Sequence, residues 1–196
     1  MDSMSPLEFE ELLRVRADEL AQRGICALEP MYDLVASRLL RYAATLTRTR
    51  EEAEDVLQSS LLRLARGPQK LSTANRPWSY LLKLTRNEAY DLLYRKKPLE
   101  LLPATSVILD SSEPAFDSWE KSELVQQAMQ ELPAAQAEVV ILKIWEGMTF
   151  REISELTEES LSTVTSRYRY AMEKLSSLLS MYAQEPKVSS VVKNRD

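Results

Sequence analysis

Apolar residues recur at three- and four-residue steps in segment after segment of this 196-residue chain, and only 3 of its residues are glycine. That spacing lines up apolar side chains on one face of an α-helix, whereas a half-buried strand needs strict alternation. Alternation of β-branched residues is nearly absent, so the sequence predicts an all-α fold. In residues 29–50 the repeat is Met31, Leu34, Val35, Leu39, Tyr42, Ala43 and Leu46. Thr49 can cap a second helix over 50–66, where Ala53, Val56, Leu57, Leu61 and Leu64 face inward and Asp55, Gln58 and Ser59 outward; Gly67-Pro68 ends it. Pro77 then opens a long helix through Lys97, with Trp78, Leu81, Leu82, Thr85, Ala89, Leu92 and Leu93 inward. Residues 1–28 predict an amphipathic extension with Leu7, Leu12, Val15 and Leu20 on one face, stopping at Gly24.

The periodicity dissolves over 99–118, where Pro103, Pro114 and a Ser/Asp/Glu-rich run predict a flexible acidic linker. Helical spacing resumes at Trp119. It predicts a helix to Glu131, a break at Leu132-Pro133, a helix over 134–145, a turn at 146–148 and a helical hairpin over 149–175. The fold expected is therefore two small helical domains, 29–98 and 119–181, joined by the linker and followed by a polar tail over 182–196 that lacks clear structure.

The overall charge of −5 hides a segregation. Residues 29–98 carry 13 Lys and Arg against 8 Asp and Glu, whereas 99–124 hold one Lys against six acids, and 125–181 five Lys and Arg against eight acids. Such blocks point to different partners for different segments. The absence of histidine and a single cysteine, Cys26, exclude an internal disulfide, zinc ligation and His-based acid/base chemistry. No Gly-rich phosphate loop or nucleophile with an adjacent base stands out, so no enzyme, metal, cofactor or small-molecule substrate is expected. No apolar run reaches membrane-spanning length and the N-terminus lacks the order of a signal peptide, which predicts a cytoplasmic protein without membrane insertion.

Two surfaces suggest nucleic acid. In the hairpin, Phe150, Ile153 and Leu156, then Val164, Tyr168, Ala171, Met172 and Leu175, supply inner faces. The second helix also displays Ser162, Thr163, Thr165, Ser166, Arg167 and Arg169, hydroxyls and guanidinium forks suited to phosphates and base edges. This is the layout of a helix-turn-helix, and an ordinary helical hairpin with a polar outer face fits the same residues. On the 77–97 helix, Lys83, Arg86, Asn87, Tyr90, Tyr94 and Arg95 lead into Lys96 and Lys97. Rings interleaved with cations suit single-stranded nucleic acid, and a solvated face with snorkelling cations suits them equally.

Together these segments resemble a bacterial RNA polymerase sigma factor of the extracytoplasmic function class. EEAEDVLQSSLLRLAR (51–66) resembles that family's second conserved region and RPWSYLLKLTRNEAYDLLYRKK (76–97) its promoter-melting helix. LPAAQAEVVILKIWEGMTFREISE (132–155) and STVTSRYRYAMEKL (162–175) resemble its helix-turn-helix domain. The resemblance implies a protein that binds core RNA polymerase through the clamp coiled coil and flap, directs it to promoters and assists melting. An anti-sigma factor is a further implied partner. By the same resemblance, Asp55 and Gln58 contact the clamp. Arg86, Asn87 and Asp91 match the helix beside the melted strand, with Arg95, Lys96 and Lys97 extending its basic end and Lys83 holding phosphates beside Arg86, and in the recognition helix Thr163, Ser166 and Arg167 face DNA, with Val164 structural.

The chain departs from the family pattern in the hairpin turn. Glu158 and Glu159 stand where a glycine and an apolar residue are usual, which implies a strained turn and repulsion of phosphates. Thr165 replaces a common lysine and Tyr170 an arginine. These changes keep open a sigma-like adaptor, or a helix-turn-helix regulator, with weak or lost promoter recognition.

Overall fold

The first helix begins where Ser5 and Glu8 close a reciprocal cap: the Ser5 backbone N–H donates to the Glu8 carboxylate at 2.7 Å, and the Glu8 N–H to the Ser5 hydroxyl at 3.3 Å. This α1 runs Pro6–Arg23 and stops at Gly24, whose φ of 63° requires a glycine-like backbone. A 3₁₀ turn over Gly24–Ala27 leads into α2, Leu28–Leu46. Thr49 caps α3, Arg50–Arg66, through its hydroxyl, and a single helical turn, α4 (Gln69–Ser72), precedes α5 (Pro77–Lys96). Then follow α6 (Glu123–Gln130) and α7 (Ala134–Val140), the latter continued by a wide π turn over Ile141–Trp145. The last pair is α8 (Phe150–Thr157) and α9 (Leu161–Gln184). The structure is a computed structural model that describes residues 4–47, 49–96 and 123–184. The expected linker, Lys97 and most of the tail lie outside them. Among the described residues every regular element is helical, and no helix is long and apolar enough to cross a membrane.

Helices α2, α3 and α5 bury the faces their spacing predicts, with Leu39, Leu64, Leu81 and Leu82 nearly or fully inaccessible. Three expectations need correction. The inner face of α1 is Phe9, Leu13, Ala17 and Leu20, whereas Leu7 is 79% and Val15 52% exposed. Phe9 sets that phase by packing its ring edge-on to Trp78 at 5.0 Å, so the Leu7/Val15 face turns away. The chain is also helical past Ser180 to Gln184, because Leu178, Leu179 and Tyr182 pack against Ala171 and Leu175. Met172, expected inward, is 37% exposed.

Val139, Ile141, Leu142, Met148, Ile153, Leu156 and Val164 from the second half join one continuous core with α1, α2, α3 and α5. A smaller core of Ala128, Leu132, Ala137, Val140, Ala171 and Leu175 belongs to the second half alone. The halves thus share apolar interior, the non-directional term that contributes most to association.

Candidate nucleic-acid and polymerase interfaces

Asp55 and Gln58 project from α3 into solvent beside exposed Ser59 and Leu62, while Val56 and Leu57 anchor the opposite face. An exposed row with an apolar member and polar flanks, on a helix whose other side is locked into the core, can engage a partner helix without refolding.

On α5 the predicted strip divides. Asn87, Tyr90, Asp91, Tyr94 and Arg95 are exposed, and Arg95 donates to the Asp91 carbonyl at 3.2 Å. Arg86 is drawn inward: its Nε donates to Glu138 Oε1 at 2.9 Å, and its guanidinium lies 4.5 Å from the Tyr90 ring. The Glu138 side chain is only 1% exposed and also accepts from the Tyr42 hydroxyl at 2.8 Å. Burial, and then the neighbouring Glu138 charge, push the Tyr42 hydroxyl well above its ordinary range. Lys83 forms an ion pair with Glu158 at 2.9 Å.

A second buried carboxylate, Glu146, closes the π turn with its side chain inaccessible. It accepts from Arg38 at 2.6 Å, Arg41 at 3.1 Å and the Trp78 indole N–H at 2.8 Å. Arg38 in turn stacks over Phe9 at 3.9 Å and Trp78 at 4.5 Å. Sequence periodicity does not single out Glu138, Glu146, Arg38 or Arg41 as functional. The one signal in the chain is that Glu138 interrupts the apolar run around AEVVILKIW.

In the hairpin, Thr149 and Glu152 form a reciprocal cap at the start of α8. Glu158 occupies the left-handed region at φ 62° and ψ 27°, as its position in the turn suggests, and that conformation costs about 1–3 kcal/mol outside glycine. Both turn carboxylates are paired: Glu158 with Lys83, Glu159 with Arg167 at 3.0 Å. Ser160 accepts the Thr163 N–H at 3.1 Å, and its hydroxyl lies 2.8 Å from that of Ser162 and 2.7 Å from that of Thr163. The Thr165 hydroxyl is bonded back to the Leu161 carbonyl at 2.9 Å. Ser166 is half-buried, and Arg169 is exposed with its guanidinium over Tyr170 at 4.8 Å. The start of α9 is therefore a hydroxyl cluster with unpaired cationic reach only from Arg169 among the described recognition-helix residues.

Burial pushes the Glu152 carboxyl up, but hydrogen bonds from Thr149 and the nearby Arg76 outweigh it and hold the group below its ordinary 4.5. A carboxyl lowered in the folded chain stabilises it above the unfolded value, and the contribution fades as pH falls through the folded value. Glu152→Gln should therefore lower the urea midpoint near neutral pH, with the difference from wild type vanishing in acid well below 4.5.

The sigma-70 region 2 family model matches residues 31–98, which hold α2–α5, and the sigma-70 region 4 model matches 122–175, which hold the second half up to mid-α9. The chain belongs to the sigma-70 family, in its extracytoplasmic function class. It is 25% identical over 152 residues to RNA polymerase sigma factor SigZ of Bacillus subtilis, covering 78% of this chain and 86% of that one. It is 25% identical over 191 residues to ECF RNA polymerase sigma factor SigK of a Mycobacterium species, covering 89% and 92%. Its fold is similar to that of the sigma factor RpoE, solved with the anti-sigma factor NepR from Bartonella quintana, at TM-score 0.62 and 19% identity over 78% of this chain and 96% of that one. As a sigma factor it binds core RNA polymerase and directs it to promoters for transcription initiation.

Proposed function

We propose that the two halves of this sigma factor grip a promoter at two points. The α8–turn–α9 hairpin acts as a helix-turn-helix in the major groove of the upstream element. Ser162, Thr163, Thr165, Ser166, Arg167 and Arg169 lie on its DNA side. The outer face of α5 takes the melted strand: Lys83 and Arg86 hold phosphates, Arg95, Lys96 and Lys97 extend the basic end, and Asp91 supports the strip. Asn87 receives an unpaired base, since its amide presents donors and an acceptor to a base edge. Capturing that base offsets the few kcal/mol needed to flip it. Asp55 and Gln58 hold the polymerase clamp coiled coil, and the second half meets the flap. The working compartment is the cytoplasm.

The observation that carries this reading is the exposure of Asn87 together with Tyr90 and Tyr94, on a helix whose reverse face is locked in the core. RpoE was solved with an anti-sigma factor, and an anti-sigma factor is the regulatory partner proposed here. The pairing of Arg167 with Glu159 favours a second reading, in which the upstream grip is weak and promoter choice rests mainly on α5.

Run-off transcription with reconstituted holoenzyme tests the mechanism. Asn87→Ala should reduce open-complex formation about tenfold or more, as loss of a good base contact does, while polymerase binding is retained. Unchanged promoter opening removes Asn87 from the mechanism.

A further inference from the structure

Glu88 and Asp91 are the acids of α5, and Glu88 is the one turned inward. Its side chain keeps only 10% of its surface, although it stands next in the chain to exposed Asn87. The cation it meets, at 2.5 Å, is Arg63 of α3. We propose that Arg63 is a positioning residue for strand capture. Its guanidinium, reaching across from the helix that carries Asp55 and Gln58, holds the C-terminal turns of α5 at the rotation that presents Asn87 to the unpaired base. The proposal rests on the reading that Asn87 receives that base.

The packing explains why one ion pair decides this. Arg63 springs from a fixed backbone: Ser60, Leu61 and Leu64 around it are buried, and the Ser60 hydroxyl donates to the Val56 carbonyl at 2.7 Å. The earlier turns of α5 are held as firmly by Trp78, Leu81, Leu82 and Ala89. Beyond Ala89 the anchoring thins, because Leu92 and Leu93 are only half-buried. Asn87, Tyr90, Asp91 and Tyr94 follow one another at three- and four-residue steps along the outer side of this stretch. Glu88, first by its hydrogen bond and its charge, and Asp91 from further off raise the Arg63 guanidinium above its ordinary range. A carboxylate so far out of water needs a cation or must turn toward solvent. Without Arg63, Glu88 regains hydration by rolling the end of α5 outward, and Asn87, one residue back on the same helix, moves with it. Because rolling restores hydration, and because Arg63 is itself 60% exposed, the loss costs little overall stability. It shows instead in where Asn87 sits.

Reconstituted holoenzyme provides the test. Permanganate reactivity of the melted strand reads opening, capture of core polymerase reads assembly, and the thermal midpoint of the free chain reads stability. Arg63→Ala should lower open complexes about fivefold, within the range of coupling between contacting residues, with assembly and midpoint unchanged. Arg63→Lys should recover most of the loss, since one guanidinium nitrogen makes the contact and no fork is required. In an Asn87→Ala background, Arg63→Ala should add nothing, because it acts through Asn87. Additive losses overturn the proposal, for they make Arg63 a direct contact to DNA. A loss of assembly equal to the loss of opening overturns it as well, by making Arg63 a contact to polymerase. If Asn87→Ala alone leaves opening intact, the base-capture reading falls and the positioning role falls with it. If Asn87→Ala impairs opening and Arg63→Ala does not, only the positioning role falls.

Discussion

Replacing Glu146 with alanine should separate the two halves of this sigma factor more effectively than any other single truncation at their interface. The Glu146 carboxylate is inaccessible to solvent and accepts from Arg38, Arg41 and the Trp78 indole. Its removal takes a shared acceptor from two guanidinium groups and an indole N–H. Removing one side of a buried ion pair costs about 3–5 kcal/mol, and the cost here lies toward the lower end because the Arg38 side chain keeps 26% of its surface in water. Met148 and Leu142, next to Glu146 on the same turn, lose their seat in the shared core when the turn lifts. The expected record is a denaturation curve that splits into two transitions, the first at much lower urea than the single wild-type transition. Glu146→Gln should be milder, since the amide oxygen still accepts from Trp78. A single transition at the wild-type midpoint for Glu146→Ala would show that the shared apolar surface alone joins the halves.

The second large effect is functional and should leave stability untouched. Asp55 is exposed on α3, between core residues Ala53 and Val56, so Asp55→Ala removes no internal contact of the described structure. If Asp55 anchors the polymerase clamp, its truncation should weaken holoenzyme assembly by about 2 kcal/mol or more, the range of an interface hot spot. That is roughly a thirtyfold change in the concentration needed for half assembly, by the usual relation of free energy to affinity. Gln58→Ala should move affinity in the same direction by less, because a neutral amide makes weaker hydrogen bonds than a carboxylate. A pull-down with core polymerase, with thermal unfolding measured in parallel, separates the two readouts. Equal capture of wild type and Asp55→Ala would remove this residue from the clamp interface.

The two predictions draw on different kinds of information. Asp55 is legible in the chain itself: it lies on the polar side of a helix whose 3.6-residue repeat is unambiguous, and its sequence neighbourhood resembles a polymerase-binding region. Glu146 is legible there only as the first residue of a turn. Its importance comes from three other residues, Arg38, Arg41 and Trp78, that lie far away in the sequence and converge on it in space. Glu158 is intermediate. Its place in the turn suggests a left-handed conformation, but its partner, Lys83, belongs to the other half of the chain.

By itself, then, the sequence determined the helices of the core, most of their buried faces, the break at Leu132-Pro133 and the family. The helices, faces and break depend on local spacing and on backbone rules that act over a few residues, whereas the family was legible as a resemblance of motifs. It misjudged the phase of α1, where Val15 and Phe9 are both apolar and only the Trp78 ring decides which one turns inward. Tertiary structure alone decided that the acids of the second half face the cations of the first. Ion pairing between residues some fifty to a hundred positions apart leaves no periodic trace in the chain. A charge count records only that two blocks differ in sign. That they meet, and that Glu138 and Glu146 are buried where they do, follows from a shared apolar core strong enough to hold paired charges out of water.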